Sequence, residues 1–372
     1  MFYNRDFYLR EVEIRMTCAQ HILTLLNYGT SHTMPPTYMG AWSETHERWR
    51  REGIPEGMDE HAFFGVPSAW LPFGPDVGLF PKFEVEELED CGDSTIYRDE
   101  SGVVCKAMKS SSSIPHYIDY TLKTPEDWEK HYKWRLMPND ARLGVPGSLQ
   151  ADFERKRATG AAVTLFTGSL MGWPRDWMGV ENLAYFINDY PDTFADMVDT
   201  ISDLVCWAAD QVLPWAKVDY GFGWEDICGR CGPFVSPDAF RKFVAPGYAK
   251  IRAKLEQYGI HLYGIDSDGD VSALVGPWLD AGVNVFFPIE PGTWKADGMA
   301  LRKKFGKEMR IIGHFDKMTL EQGRPAILAE FERLRPLMAD GGFVLMPDHL
   351  ITPGVALKDF QWYLEQLRAL KY

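Results

Sequence analysis

Ionisable side chains follow five apolar segments in the second half of the sequence, each at the point where a segment ends. They are Glu225 and Asp226, then Asp266, Asp268 and Asp270, then Glu290, then His314, Asp316 and Lys317, and finally Asp348 and His349. Any single acid in such a position could be a solvated loop residue or a helix cap. Their repeated placement directly after apolar segments predicts instead that they converge on one pocket.

Two of these segments offer ligands for a metal ion. Carboxylates at Asp266 and Asp268 and an imidazole at His349 suit zinc or a similar divalent ion. Side chains two residues apart at the end of a strand point to the same side. We therefore predict a metal held by Asp266, Asp268 and His349, with Asp348 as a further candidate ligand. The alternative is a hydrogen-bonded acid pair without a metal.

The cysteines offer a weaker metal signal. Six are scattered through the chain, which in a reducing compartment predicts free thiols. Cys228 and Cys231 form one C-x-x-C with no second pair and no nearby histidine. A structural zinc is one interpretation of that motif. Two ordinary buried thiols are the favoured one.

The secondary structure that must position these groups is predicted from residue 159 onward, where short β-type segments alternate with helical patterns. The predicted strands are Ala161–Thr167, Val218–Trp224, Ile260–Ile265, Val283–Ile289, Met309–Gly313 and Gly342–Met346. The alternation is typical of βα units around a parallel sheet. Met34–Trp42 and Val77–Phe83 are the best candidates for two earlier strands. The predicted fold is α/β, a (β/α)₈ TIM barrel with an N-terminal extension, in which functional side chains follow strand ends.

One segment of the chain does not fit the βα pattern. Residues 84–150 contain alternating segments on either side of Asp99–Gly102, which predicts a β-hairpin insertion on one rim. No repeat, low-complexity tract or flexible linker divides the chain. We therefore predict that residues 1–372 form a single barrel domain with 84–150 as a decorating insertion.

Composition narrows the class of protein. The chain has 372 residues, 45% of them hydrophobic, so it can bury a large core. A formal net charge of −14 makes nucleic acid a poor partner. No segment resembles a signal peptide or a membrane span, which predicts a cytoplasmic protein.

Six segments carry a resemblance to the uroporphyrinogen decarboxylase-like superfamily. They are W-E-D-I-C-G (224–229), G-P-F-V-S-P-D-A-F-R-K-F-V-A-P-G-Y (232–248), D-S-D-G-D (266–270), P-W-L-D-A-G-V-N (277–284), G-H-F-D-K (313–317) and G-G-F-V-L-M-P-D-H (341–349). The chain resembles this superfamily over roughly residues 15 to 370. The resemblance implies a (β/α)₈ barrel, often a homodimer, with a deep cleft at the C-terminal face of the barrel.

Two chemistries in that superfamily compete for this sequence. True uroporphyrinogen decarboxylases carry an M-R-Q-A-G-R-type loop after the first strand, where this chain has Tyr38–Thr45 without a cationic residue. A negative chain would repel a polycarboxylate substrate. The chain looks closer to the cobalamin-dependent methyltransferases, in which His and Cys residues hold zinc. Here harder ligands stand at both Cys positions, which suits a Lewis-acid zinc that polarises an oxygen.

The resemblance implies transfer of a methyl group from a small methylated substrate, such as a methoxylated aromatic, to a reduced corrinoid. Expected catalytic residues are Glu225, as proton donor or further ligand, His314 as general acid, and Asp266. Trp42, Trp173, Phe287 and Glu290 are expected to line the substrate site. The chain has no D-x-H-x-x-G motif for a corrinoid of its own, so the corrinoid is expected on a partner protein. Decarboxylation of uroporphyrinogen or another acid and a non-catalytic ligand-binding barrel are the alternatives.

Overall fold

The computed structural model of the protein describes residues 16–110 and 115–372. Its strands are β1 (Trp70–Phe73), β2 (Glu86–Asp90), β3 (Ser94–Arg98), β4 (Val103–Met108), β5 (His116–Tyr120), β6 (Ala162–Phe166), β7 (Tyr220–Trp224), β8 (Cys228–Gly229), β9 (Gly232–Pro233), β10 (Tyr263–Asp266), β11 (Val285–Phe287), β12 (Arg310–Phe315) and β13 (Phe343–Pro347). The beginning of the predicted N-terminal extension, residues 1–15, lies outside the described residues.

Helices fill the connections between these strands. The α-helices are Cys18–Leu26, Ser43–Glu52, Glu60–Phe64, Pro125–Asp127, Ser148–Ala158, Gly172–Met178, Val180–Asp189, Pro191–Val212, Pro237–Ala239, Ala245–Gln257, Val275–Asp280, Gly298–Phe305, Thr319–Gln322, Arg324–Asp340 and Leu357–Ala369. Short π-helical segments lie at Trp128–Tyr132 and Phe240–Val244, and 3-10 segments at Lys133–Leu136, Asp140–Leu143 and Gly306–Glu308. Helices thus separate the later strands, as the sequence predicted.

Within the described residues, seven strands form one parallel sheet in the order β1-β6-β7-β10-β11-β12-β13. The segment 38–41 joins the two ends of this sheet. Tyr38 pairs with Ser68 beside β1, and Ala41 pairs with Ile351 beyond β13. The predicted TIM-barrel fold is confirmed, but single bridges replace most of the predicted strand Met34–Trp42.

The predicted strand Val77–Phe83 is wrong, because this segment is a loop and the barrel strand is β1, just upstream. Side chains satisfy some of the backbone groups of this loop. The buried Arg142 guanidinium donates to the carbonyls of Asp76 and Gly78 at 2.9 and 2.8 Å, and Asp76 Oδ1 accepts from the Gly78 amide at 2.8 Å. Pro72 made the true strand hard to recognise, since proline is uncommon inside a sheet.

The interior of the barrel is filled by aromatic side chains beneath the strand ends. The Trp70 ring lies 4.7 Å from that of Phe222 and 4.9 Å from that of Phe287, centroid to centroid. Gly264 pairs with Phe222, and a Cβ there would lie 2.4 Å from Phe222 Cδ2. Asp266 lies two residues further along β10 and therefore faces the same interior, directly above this packed layer.

The insertion contains more strands than the sequence predicted. The expected hairpin is present as β3 and β4, joined by residues 99–102, where Asp99 Oδ1 accepts from the Ser101 and Val103 amides. Strands β2 and β5 extend it to a four-stranded antiparallel sheet. Among the residues with described structure, no helix is long and apolar enough to cross a membrane.

Candidate functional site

Three carboxylates from neighbouring strand ends meet at the C-terminal mouth of the barrel. One oxygen from each of Asp226, Asp266 and Asp268 lies within 4.8 Å of the others. Hydrogen bonds between the loops after β7 and β10 fix this arrangement. The Asp268 amide donates to Asp226 Oδ1 at 2.9 Å, and the Glu225 amide donates to the Asp266 carbonyl at 2.7 Å. We call Asp226, Asp266 and Asp268 the acid cluster.

His349 joins the acid cluster from the opposite side of the ring. Its Nε2 lies 3.6 Å from Asp268 Oδ2, and its side chain is 20% exposed. The structure therefore brings together Asp266, Asp268 and His349, which the sequence analysis predicted as metal ligands. The structure also places Asp226 in this group. In the sequence, the position of Asp226 two residues after β7 was the indication that it could lie here.

A second polar group adjoins the acid cluster and is centred on Lys317. Its Nζ lies 2.9 Å from Glu290 Oε1 and 3.9 Å from Asp348 Oδ1, while its backbone amide donates to Asp348 Oδ1 at 3.1 Å. Glu290 and Asp348 are both buried. Glu290 was predicted to contact substrate and lies close enough to Asp268 to raise the pKa of its carboxyl.

Three buried carboxylate oxygens in this region have no hydrogen-bond partner within the described part of the chain. They are Asp268 Oδ1, Glu290 Oε2 and Asp348 Oδ2. Leaving a buried carboxylate oxygen without a partner is costly, and a divalent cation at the acid cluster would satisfy that of Asp268. The donor set of carboxylates and one imidazole thus fits a zinc-like ion.

The pKa values of the site residues reflect burial and the nearby charges. Burial, with the charges of Glu290 and Asp226, raises the pKa of Asp268 to about 7. Burial also raises the pKa of Asp348 to about 7, although Lys317 opposes the shift. Burial lowers the pKa of His349 to about 4, and Lys317 acts in the same direction. The imidazole is therefore neutral at pH 7, as a metal ligand must be.

Glu225 lies apart from this group and has a different set of partners. Its carboxylate accepts from the amides of Leu170, Met171 and Gly172, the last at 2.7 Å, and from the Tyr248 hydroxyl at 2.7 Å. Both oxygens are therefore occupied at the N-terminus of the helix Gly172–Met178. In this arrangement the side chain positions the helix, and a role of Glu225 as proton donor or metal ligand stays a prediction.

Replacing Glu225 with glutamine tests this structural role. The amide group keeps one acceptor oxygen but turns an N–H donor towards buried backbone N–H groups, so we expect a loss of about 1–3 kcal/mol in the free energy of unfolding. Tyr248→Phe should cost about 1 kcal/mol by removing one donor. Urea unfolding of both variants and of the double variant measures the coupling. Unchanged stability with lost activity would return Glu225 to a catalytic role.

His314 is also engaged away from the acid cluster. Its Nδ1 donates to the Ile289 carbonyl at 2.7 Å, and Arg333 Nη1, which can only donate, lies 3.3 Å from Nε2. Burial lowers the pKa of His314 to about 4. The two ring nitrogens thus contact the segment after β11 and the helix Arg324–Asp340, and a role of His314 as general acid stays a prediction.

The three aromatic residues expected at the substrate site lie in three different settings. Trp42 precedes the helix Ser43–Glu52 and is 44% exposed. Phe287 belongs to the packed interior layer and is 1% exposed. Trp173 lines a cavity together with Trp177. Of the three, Trp173 alone borders a cavity that we describe, and its role in substrate binding stays a prediction.

The C-x-x-C motif forms a two-residue hairpin of β8 and β9. Cys228 is buried there, whereas Cys231 is exposed, and both are free thiols. The expectation of two buried thiols is therefore wrong for Cys231, which lies in the turn of the hairpin. Asp270 donates its amide proton to the Gly229 carbonyl, which ties the hairpin to the loop of the acid cluster.

Comparison with known proteins places this site in a family. The family model for uroporphyrinogen decarboxylase (URO-D) matches residues 156–370, which is more than half of the chain and includes the acid cluster. Residues 15–155, which the sequence resemblance also included, lie outside the matched range. No sequence among functionally curated proteins matches the chain significantly.

Solved structures resemble the chain in fold. A methyltransferase from Methanosarcina mazei aligns with a TM-score of 0.63 at 16% sequence identity, covering 95% of this chain and 99% of that protein. A structure from Listeria monocytogenes, assigned as a vitamin-B12 independent methionine synthase, aligns with a TM-score of 0.39 at 11% identity over 92% of this chain and 97% of that one. The first likeness supports the fold, and the second is too low to carry an argument. By the match of its residues 156–370, the chain belongs to the uroporphyrinogen decarboxylase (URO-D) family.

Proposed function

We propose that the protein is a metal-dependent methyltransferase that moves a methyl group from a small methylated substrate to a corrinoid carried on a partner protein. The observation that carries this proposal is the acid cluster with His349 at the mouth of the barrel. Active sites of TIM barrels lie at this face. The name of the Methanosarcina mazei protein, a methyltransferase of the same fold, supports the same chemistry.

The residues that would hold the metal are Asp226, Asp266, Asp268 and His349. A zinc-like ion in this position supplies a Lewis acid that holds and polarises an oxygen of the substrate. Asp226 is fixed for this task by the Asp268 amide, and Ser267 Oγ donates to the Glu225 carbonyl at 3.1 Å, which keeps the two loops together. The protein thereby presents its ligands in one preformed arrangement.

Lys317 balances the charge beside this site. Its ammonium group binds Glu290 and lies near Asp348, so it offsets part of the negative charge of the buried acids. The described residues around the proposed metal site are thus carboxylates, His349 and one lysine. None of them is assigned here as a proton donor. Glu225 and His314 are already hydrogen-bonded elsewhere.

Decarboxylation is the rival reaction in this family. A polycarboxylate substrate would have to approach Asp226, Asp266, Asp268 and Glu290, which repel it electrostatically. The loop Tyr38–Thr45 offers no cationic side chain to compensate. These charges favour methyl transfer over decarboxylation.

A direct assay separates the two reactions. Metal-loaded protein is incubated with free reduced cobalamin and a panel of methylated compounds, and methylation of the cobalamin is followed by its visible absorbance. We expect a rate at least about 100-fold above the protein-free rate, with loss of activity on chelation of the metal. Release of carbon dioxide from an acid substrate without any metal, and no methylation, would overturn the proposal.

A further inference from the structure

A cleft of about 530 Å³ lies at the end of the barrel opposite to the acid cluster. Its lining includes Arg310, the first residue of β12, and Asn284, which directly precedes β11. The acid cluster instead lies at the C-terminal ends of β7 and β10. Because the strands of this sheet are parallel, the cleft is at the N-terminal face of the barrel, away from the proposed catalytic site.

Three cationic side chains line this cleft, although the chain has a formal net charge of −14. They are those of Arg252, Lys307 and Arg310, and the lining contains one carboxylate, that of Glu308. Tyr28 supplies an aromatic ring to the same lining. Since like charges repel, such a group of cations needs either acids or a bound anion nearby.

Tyr28 holds two of these cations from a strained backbone position. It lies two residues beyond the helix Cys18–Leu26 with φ 58°, a left-handed conformation that is uncommon for a bulky residue. Its ring centre lies 5.0 Å from Lys307 Nζ and 5.4 Å from Arg310 Cζ, and its hydroxyl donates to the Lys307 carbonyl at 2.7 Å. Cation–π attraction therefore places Lys307 and Arg310 at one ring.

Two further cations near this ring have carboxylate partners of their own. Arg252 Nη2 lies 2.8 Å from Glu256 Oε1. Arg302, whose guanidinium lies 5.8 Å from the Tyr28 ring centre, has its Nη1 2.6 Å from Asp340 Oδ2. Each pair is neutral overall, so the charge that a ligand would meet comes from the other groups.

Lys307 and Arg310 are the cations without such a partner. Within the described part of the chain, neither forms an ion pair, and neither does Glu308. Arg310 Nε and Nη1 donate to backbone carbonyls, whereas Arg310 Nη2 and Lys307 Nζ have no acceptor among the described residues. Burial lowers the pKa of Arg310, and the charges of Arg252 and Arg302 lower it further. Glu308 can offset one of the two cations, and the other remains unbalanced.

From these contacts we propose that the cleft binds a phosphate group, either as inorganic phosphate or as part of a small phosphate ester. Lys307 Nζ and Arg310 Nη2 would donate to its oxygens, while the Tyr28 ring keeps both donors in place. A phosphate has enough terminal oxygens and charge to accept from an ammonium and a guanidinium together. At this face of the barrel it would act as an effector or an anchoring group, and not as a reactant.

Calorimetric titration of the metal-free protein tests the proposal with two probes, inorganic phosphate and glycerol 3-phosphate. Removal of metal keeps the probes from binding an ion at the acid cluster. The titration is done at low ionic strength, because salt screens exposed charges. We expect at least one probe to bind with a dissociation constant below about 1 mM. Tighter binding of glycerol 3-phosphate supports an ester as the ligand, and equal binding supports inorganic phosphate.

Variants of the charged residues assign the binding to the cleft. Arg310→Gln should weaken phosphate binding at least about 10-fold, because it removes a charge-assisted donor. Lys307→Gln at an exposed position should weaken it about 3- to 10-fold, and Glu308→Gln should strengthen it about 2- to 3-fold by removing a repelling charge. The control is Arg98→Gln, which removes the same charge from an ion pair with Glu86 in the insertion and should leave binding unchanged.

The outcomes decide the proposal independently of methyl transfer, because the titration needs neither metal nor corrinoid. No measurable heat with either probe at millimolar concentration would overturn it. Equal losses in the Lys307 and Arg98 variants would also overturn it, since net charge alone would then explain the binding. Lys307→Gln breaks no side-chain hydrogen bond of the described residues, so it keeps the test decisive if Arg310→Gln fails to fold.

Discussion

Protein in which Asp268 and His349 are both replaced with alanine is expected to lose the bound metal and its activity together. Wild-type protein should hold about one ion per chain after dialysis against zinc, and the double variant should hold almost none. Two of the four candidate ligands are removed at once. We expect the rate of cobalamin methylation to fall at least about 100-fold, as measured beside the metal content by elemental analysis.

The control for this experiment uses the same residue types outside the site. Asp270 lies in the same loop, where its carboxylate accepts from the Ser272 amide at 3.0 Å, and His261 is exposed at the opposite end of β10. Replacement of both with alanine should preserve the metal content. If the Asp268 and His349 variant kept its ion and its activity, the metal would have to lie elsewhere.

Replacement of His314 is expected to change how stability depends on pH. Burial lowers the pKa of His314 from 6.5 to about 4. Below about pH 6.5, His314 is therefore protonated in the unfolded chain, whereas in the folded protein it becomes protonated only near pH 4. Its contribution to stability is complete above pH 6.5 and is lost as the pH falls, by about 3 kcal/mol over this window.

The variant His314→Asn removes this contribution at a position that tolerates it. His314 has a left-handed backbone with φ 61°, a conformation that asparagine adopts readily. Burial raises the pKa values of Asp268 and Asp348, so these acids act in the opposite direction and the wild-type slope is a net value. The measurement is therefore the difference between variant and wild type in urea unfolding between about pH 4 and 7. An unchanged slope, matching that of exposed His261→Asn, would contradict a buried neutral His314.

The later part of the fold was predictable because its signals are local. Each strand of the parallel sheet from β6 onward is a short apolar segment with a helix before the next strand of that sheet, and the acids after β7 and β10 had to leave the barrel at the same rim. The strand β1 was missed because Pro72 interrupts its pattern. The loop Val77–Phe83 was mistaken for a strand because Arg142, distant in sequence, satisfies its carbonyls. Only tertiary structure reveals such partners.

The roles of individual acids were harder to predict for the same reason. Glu225 and Asp226 are adjacent and both follow β7, yet one caps a helix and the other faces the acid cluster. Alternation of side chains along an extended segment separates them, but the sequence does not say which side faces the cavity. Ion binding by this group stays a prediction until it is measured.

The short pairing at residues 38–41 has a consequence for how the barrel stays closed. Few backbone hydrogen bonds join this segment to Ile351. Closure of the barrel therefore depends also on side-chain contacts outside the sheet. Trp49 stacks on Phe360 at 4.9 Å and donates to the Val355 carbonyl at 3.0 Å, while Glu52 accepts from the Leu357 amide at 2.6 Å. The C-terminal helix Leu357–Ala369 therefore helps to close the barrel. Truncation of the chain before this helix would leave segment 38–41 and β13, which lie at the two ends of the sheet, without these side-chain contacts.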